Sequence, residues 1–211
     1  MAKAENNHLS WLTMTVTPSV FILVLAAGRS ERFGGDKLLT DFRSEPLLRH
    51  ALRAASEACP GGVVLVTGHR ARQVAQAADG FADRCVLNED FELGMGTSIA
   101  RGVAACRGEA DAILVHLADQ PLVTGTHLRT LIERWSGAPD EIVASQYAGR
   151  LGPPAMFGSA VFDDLCALRG DRGARDLLGS SDYRVYAVDC AAAALDIDTP
   201  ADLAACLTAP G

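Results

Sequence analysis

Short, continuous apolar runs recur along the chain, and segments with a helical period lie between them. The runs are "VFILVLAA" from Val20, "VVLVTG" from Val63, "CVLNE" from Cys85, "AILVHLAD" from Ala112, "EIVASQY" from Glu141 and "RVYAVDC" from Arg184. Most lack an in–out alternation, which marks strands covered on both faces. In "PLLRHALRAASEA", Leu47, Leu48, Ala51, Leu52 and Ala55 fall on one helical face, with Pro46 near the first turn. Further helices are expected in "ARQVAQAA" from Ala71, in "GTSIARGVAAC" from Gly96, and in "TGTHLRTLIERWSG", where Thr124 or Thr126 is the N-cap and Gly137 the stop. "SAVFDDLCALRG" and "RGARDLLGS" form a later helical pair. "TPADLAACL" closes the series, with Thr199 as N-cap and Pro200 at the first helical position.

Strands alternating with helices imply an α/β fold: three layers around a doubly wound, mostly parallel sheet. No repeat, low-complexity tract or linker interrupts residues 19–211, so they are expected to form one domain, preceded by a loose tail over residues 1–18. In such sheets ligands bind beyond the carboxyl ends of the strands. The residues that follow each strand are therefore the ones to question.

Composition narrows the function classes. A chain of 211 residues, 49% hydrophobic but only 6% aromatic, can bury a sizeable core of Ala, Val and Leu. A formal net charge of −7 argues against nucleic acid as a partner, although a few local cations still suffice for a nucleotide. The six cysteines form no C-x-x-C pair and have no metal-ligand spacing with histidine, which fits reduced thiols in a cytoplasmic protein. The polar N-terminus has no signal-peptide core, and no apolar run is long enough to span a membrane.

The first strand runs into "AAGRSERFGGDKLL". This loop is not a P-loop, because Gly28 to Gly34 is one residue too long and Leu38 follows Lys37. It is not a dinucleotide turn, because position 30 is serine, nor a nucleophile elbow, because "GRSER" lacks the second glycine. It nevertheless has open amides, small residues and three cations, Arg29, Arg32 and Lys37. It is either an anion cradle or a plain turn. Asp119, at the end of its strand, is either a Mg²⁺ ligand or else an N-cap or a solvated loop carboxylate. In "LDIDTPADL", Asp196 and Asp198 alternate on an extended segment, so at most one shares a site with Asp119. Asp198 is the better metal candidate, and helix initiation is the competing role for either. Gly94, Gly96, Thr97 and Ser98 make a tight turn suited to a base or ribose, or simply to starting a helix. The five histidines form no cluster. His116 reads as a core residue, and Ser98 has no His/Asp partner.

Taken together, these segments resemble the MobA-like nucleotidyltransferases, and most closely the molybdenum cofactor cytidylyltransferases. "LAAGRSERFGGDKLL" is similar to their first signature, with Phe33 in place of the usual methionine. "GMGTSIARGV", "LADQPLV", "FDDLCALRGDRGARDLL" and "DIDTPADL" resemble the later ones, in the same order, from about Val20 to Leu207. The resemblance implies a Rossmann-like nucleotidyltransferase fold and a transfer of CMP from CTP to a phosphate-bearing acceptor, molybdopterin first among them, with release of pyrophosphate. It also implies a division of labour. Ala26, Ala27, Gly28, Arg29 and Lys37 would hold the nucleotide, with Gly94 and Met95 against its base. Arg32, Lys37 and Asp119 would be catalytic, and Asp119 and Asp198 would hold Mg²⁺. Ser98, Gly152 and Pro153 would face the acceptor. "LAAG" is similar to the cytidylyl branch, whereas the guanylyl branch has L-A-G-G. A molybdoenzyme or its chaperone would be the protein partner.

One departure bears on the acceptor. The cytidylyl enzymes usually carry G-H-P where this chain has "GPPAMF", so Pro153 stands in the histidine's place. Either molybdopterin is held differently, or the acceptor is another phosphate, such as a sugar or alcohol phosphate. A third reading, a non-catalytic carrier that hands molybdopterin to a xanthine-dehydrogenase-type enzyme, leaves Lys37, Asp119 and Asp198 without a purpose.

Overall fold

The computed structural model describes residues 18–58, 61–171 and 173–208, so the expected tail lies almost wholly outside the described residues. In chain order the strands are β1 (Val20–Ala26), β2 (Asp41–Phe42), β3 (Glu45–Pro46), β4 (Val63–Thr67), β5 (Arg84–Leu87), β6 (Ala112–Leu117), β7 (Glu141–Tyr147), β8 (Arg150–Gly158) and β9 (Arg184–Asp189). The α-helices are α1 (Leu47–Ala58), α2 (Ala71–Ala77), α3 (Met95–Cys106), α4 (Gly125–Arg134), α5 (Phe162–Ala167), α6 (Arg175–Leu178) and α7 (Pro200–Thr208).

Seven strands form one sheet in the order β5-β4-β1-β6-β8-β7-β9, and β2 and β3 form a small separate hairpin. All neighbours in the large sheet are parallel except β8, which runs antiparallel to both β6 and β7. The doubly wound, mostly parallel fold is as expected. Every residue of β1 is buried, and its two faces feed separate layers. Ile22 and Val24 pack with Leu48 and Leu52 of α1 and Leu128 and Leu131 of α4. Leu23 and Leu25 pack with Ile99 and Val103 of α3 and Leu165 of α5. Each fully buried leucine contributes roughly 1.5–3 kcal/mol, which is why a continuous apolar run is stable only between two helical layers.

β8 was not expected, because Gly152, Pro153 and Pro154 look like a break. The pairing with β7 shifts register between Ala144 and Ser145, opposite these residues, so both prolines sit in an irregularity where no ladder donor is needed. A two-residue turn at Ala148 and Gly149, both with positive φ, joins the two strands. Smaller differences occur at helix ends. Pro46 belongs to β3 rather than to the first turn of α1, and α6 spans only four residues. Thr124 caps α4 by accepting from the His127 amide, and α4 ends at Arg134, before Gly137. At α7, Asp202 accepts from the Thr199 amide at 2.7 Å while the Thr199 hydroxyl accepts from the Asp202 amide at 3.2 Å, a reciprocal cap. No helix among the described residues is long and apolar enough to cross a membrane.

Candidate active site

Beyond β1 the chain leaves the sheet at Ala27 and makes two single turns of tight helix, Glu31–Phe33 and Lys37–Leu39. The second turn sends Lys37 inward. Its side chain is 8% exposed, and its Nζ lies 2.8 Å from Asp119 Oδ2 and 3.2 Å from Asp198 Oδ1. A buried ammonium is tolerated here because two carboxylates face it. Arg32, 75% exposed, reaches the other Asp198 oxygen at 2.8 Å. Arg29 pairs with Glu92 and lies over the Phe91 ring, 5.7 Å from its centroid.

The two carboxylates arrive from the middle of the chain and from near its C-terminal end. Asp119 follows β6, and its backbone carbonyl accepts from the Ile197 amide at 3.0 Å. Ile197 is fully buried, so the bond and the burial together fix the extended segment 196–198. The alternation then turns Asp198 toward Lys37 and Asp196 the other way, toward the Gln120 amide at 2.8 Å. Asp119 Oδ1 is buried and has no hydrogen-bond partner among the described residues. Mg²⁺ takes one or two carboxylates and completes its shell with phosphate oxygens and water. The unpartnered Oδ1 beside Asp198 fits that donor set. Among the described residues no group of three or more His, Cys, Asp or Glu side chains could hold a metal without such help.

Ala26, Gly28, Arg29, Arg32, Lys37, Asp119 and Asp198 line one cleft of about 420 Å³. An adjoining space of about 290 Å³ is bounded by Ala27, Phe91, Gly94, Met95 and Ser98. Gly94 has φ +106°, and a Cβ there would lie 2.3 Å from the carbonyl carbon of Gly170, so this turn tolerates only glycine against the 169–171 segment. Asn88, just past β5, donates to the hydroxyls of Thr97 and Ser98 at 2.9 and 3.0 Å and pins the start of α3.

Gly152 and Pro153 lie elsewhere, in the wall of an apolar cavity of about 160 Å³ that also includes Tyr147, Arg150, Arg175 and Asp196. Met95 and Asp171 border both this cavity and the space beside Ala27. Ser98, expected with Gly152 and Pro153, borders the space beside Ala27 and not this cavity. Burial pushes the Asp196 carboxyl up, the charge of Asp119 adds to the effect, and the Gln120 hydrogen bond opposes it. Burial also raises Tyr147. Gln120, Tyr147, Arg150 and Asp171 were not singled out from the sequence. Gln120 and Asn88 were findable, since both follow a strand at the carboxyl edge.

His116 is fully buried, and neither ring nitrogen has a partner among the described residues. Burial, with a smaller contribution from His127, lowers its pKa to about 3, so it is a neutral core residue. His127 lies 2.8 Å from the Ser145 hydroxyl, which donates to the Pro154 carbonyl at 2.7 Å. With the Ser145 proton so engaged, His127 Nε2 is the donor, and the chain of bonds holds β8 beside the cavity.

A glycine-turn cleft at the carboxyl edge of a doubly wound sheet, with a lysine caged by two carboxylates, is the apparatus of a nucleotidyltransferase. A family profile described as the MobA-like NTP transferase domain matches residues 22–185, and the chain belongs to this family. It is 33% identical to the purine catabolism protein PucB of Bacillus subtilis (strain 168) over 87% of this chain and 94% of that protein. It is 31% identical to the nicotine blue oxidoreductase of Paenarthrobacter nicotinovorans, over 88% and 95% respectively. The crystal structure of Rv0371c from Mycobacterium tuberculosis H37Rv superposes with a TM-score of 0.77 at 32% identity, covering 91% of this chain and all of that one. The same protein has been solved in complex with manganese.

Proposed function

We propose that this nucleotidyltransferase moves a CMP group from CTP to the terminal phosphate of molybdopterin and releases pyrophosphate. The observation that carries the reading is Lys37, buried between Asp119 and Asp198 at the foot of the glycine loop. The triphosphate lies along the loop from Ala26 to Lys37, with amides near Gly28 and the cations Arg29, Arg32 and Lys37 facing it. An oxygen of the acceptor phosphate attacks the α-phosphorus in line. The new P–O bond forms as the bond from the α-phosphorus to the bridging oxygen breaks, and that electron pair leaves with pyrophosphate. No protein nucleophile is needed; positioning and charge neutralisation carry the step. Mg²⁺, held by Asp119 and Asp198, would supply further charge neutralisation on the phosphates. Lys37, released from its two carboxylates as the phosphates enter, neutralises charge on the transferred and departing groups.

The cytosine preference rests on the resemblance of "LAAG" to the cytidylyl branch; the Ala27 methyl, in the wall of the space beside Gly94 and Met95, would narrow it toward a pyrimidine. The absence of a dinucleotide turn at Ser30 weighs against hydride chemistry, even though one relative is named an oxidoreductase. Pro153 favours a second reading, the same transfer to another phosphate acceptor. The protein would work in the cytoplasm with its thiols reduced. A thermal-shift panel of CTP, GTP, UTP and ATP with Mg²⁺ tests the nucleotide. At about 100 times its Kd, a ligand adds about 2.7 kcal/mol, or roughly 5–10 °C for a chain of this size. CTP should give the largest shift, and a preference for GTP or ATP overturns the cytidylyl assignment.

A further inference from the structure

Three spaces meet at one side chain. Among the described residues, Asp171 alone borders the cleft around Lys37, the space beside Ala27 and the cavity beside Pro153. The backbone beneath it sets its carboxylate. The Gly96 amide donates to the Gly170 carbonyl at 2.8 Å, which ties the 169–171 segment to the first turn of α3. Gly94 clears the way, since a Cβ there would lie 2.5 Å from Asp171 Oδ1. The carboxylate therefore rests near the amino end of α3, whose dipole favours a negative charge. No ion pair or hydrogen bond among the described residues occupies its oxygens.

With the phosphates in the cleft and the base beside Ala27, the sugar that joins them lies where these two spaces meet. Five residues border both: Leu25, Gly28, Arg29, Asp119 and Asp171. A ribose brings two hydroxyls, and each costs affinity if it leaves water without finding an acceptor. Leu25 and Gly28 have no side-chain acceptor, and Arg29 only donates. The Leu25 carbonyl is taken by the Ala118 amide at 3.1 Å. Asp119 is engaged by Lys37 at 2.8 Å. Asp171 is the side-chain acceptor that remains. A phosphate is not its target, because like charges repel. Nor does it join the metal site, since Asp119, Asp171 and Asp198 do not form a group close enough to share an ion.

We propose that Asp171 is a specificity residue that accepts a hydrogen bond from a ribose hydroxyl of the nucleotide, and so selects ribonucleotides over deoxyribonucleotides. This rests on the nucleotidyltransferase reading above and adds the sugar to it. The test is calorimetric titration of CTP, 2′-deoxy-CTP and 3′-deoxy-CTP, each with Mg²⁺ and without acceptor, into wild type, Asp171→Ala and Asp171→Asn. Alanine removes the acceptor. Asparagine keeps one acceptor oxygen and loses the charge.

Wild type should bind CTP at least about tenfold more tightly than one of the two deoxy forms, since a site that pairs a hydroxyl rejects the analogue lacking it. The analogue that fails names the hydroxyl. Asp171→Ala should weaken CTP about tenfold, leave that analogue within about twofold, and so erase the preference. Asp171→Asn should retain part of it. A smaller preference in wild type overturns the proposal, as does a preference that survives in Asp171→Ala. So does an equal loss for all three nucleotides, which would make Asp171 a support for the turn at Gly94. Should Asp171→Ala not fold, Asp171→Asn decides, and it must lower the preference at least about threefold. Failure of the cytidylyl assignment is a separate result. If the thermal-shift panel favours another base, the same titrations are run with that nucleotide and its deoxy forms. Binding of no nucleotide at all overturns both readings.

Discussion

The cleft around Lys37 and the cavity around Pro153 share Asp171 as a boundary but are built from opposite materials. The cleft is a loop of glycines and charges, in which Lys37 and Arg32 are already paired with Asp119 and Asp198. The cavity is a hollow between strands and helices, apolar except for a few polar groups that point inward. Phosphates need replaceable ion pairs, because a charge buried without a partner is too costly to keep ready. A heterocyclic body needs a preformed dry surface and a small number of fixed donors and acceptors. Under the proposed function, one reaction would join two half-sites that obey different physics.

The largest expected effect breaks the cleft alone. Lys37→Ala should lower kcat by about 10²- to 10³-fold, as for the loss of one transition-state cation, and Asp119→Ala by a similar factor. Both should leave the circular dichroism spectrum intact, and near-normal turnover by either variant would refute the catalytic assignment. Gly94→Ala attacks the boundary. Its Cβ would lie 2.3 Å from Gly170, at a φ of +106°, so a loss of about 1–3 kcal/mol in stability should accompany weaker binding of both nucleotide and acceptor. A change confined to one of the two ligands would show that the half-sites do not share this wall.

Ala27→Gly is gentler and sharpens the contrast within the cleft. Removal of one methyl should shift the CTP-to-GTP ratio of kcat/KM toward GTP by about tenfold, with acceptor KM unchanged. The smallest effect on function belongs to His116, which sits behind both half-sites. Its pKa falls from 6.5 to about 3 on folding, and that of His127 also falls. The unfolded chain therefore takes up more protons below about pH 6.5, so stability is complete above that pH and is lost as the pH drops toward 3. His116→Phe should flatten the decline of Tm between pH 6.5 and 4 while leaving kcat at pH 7.5 within about twofold. An unchanged acid slope would mean that His116 does not stay neutral in the fold.

Much of this was legible along the chain. Six runs of apolar residues announced six strands of the sheet, because burial between two helical layers demands side chains that are apolar on both faces. Lys37, Asp119 and Asp198 were visible because each follows a strand or opens a turn at the carboxyl edge, where polar residues are otherwise hard to explain. The alternation of Asp196 and Asp198 was enough to send them to different places. β8 was hidden, since its two prolines look like a break until the register shift at Ala144 and Ser145 receives them. The cavity around Pro153 was hidden for a related reason. Its residues come from α3, β6, β7, β8, α6 and the segment before α7, and no local pattern links Tyr147 to Gln120 or Asp196.

By itself, then, the sequence determined the layered α/β architecture and marked Lys37, Asp119 and Asp198 at the strand ends, because periodicity and strand ends are local properties. Only the tertiary structure decided that Lys37 is shared between Asp119 and Asp198, that Ser98 borders the space beside Ala27, and that Gln120 holds Asp196 in the wall of the cavity beside Pro153. Those facts depend on which strand ends the sheet order makes neighbours. β1, β6 and β9 reach one edge through pairings between residues far apart in the chain, and spacing along the chain carries no record of them.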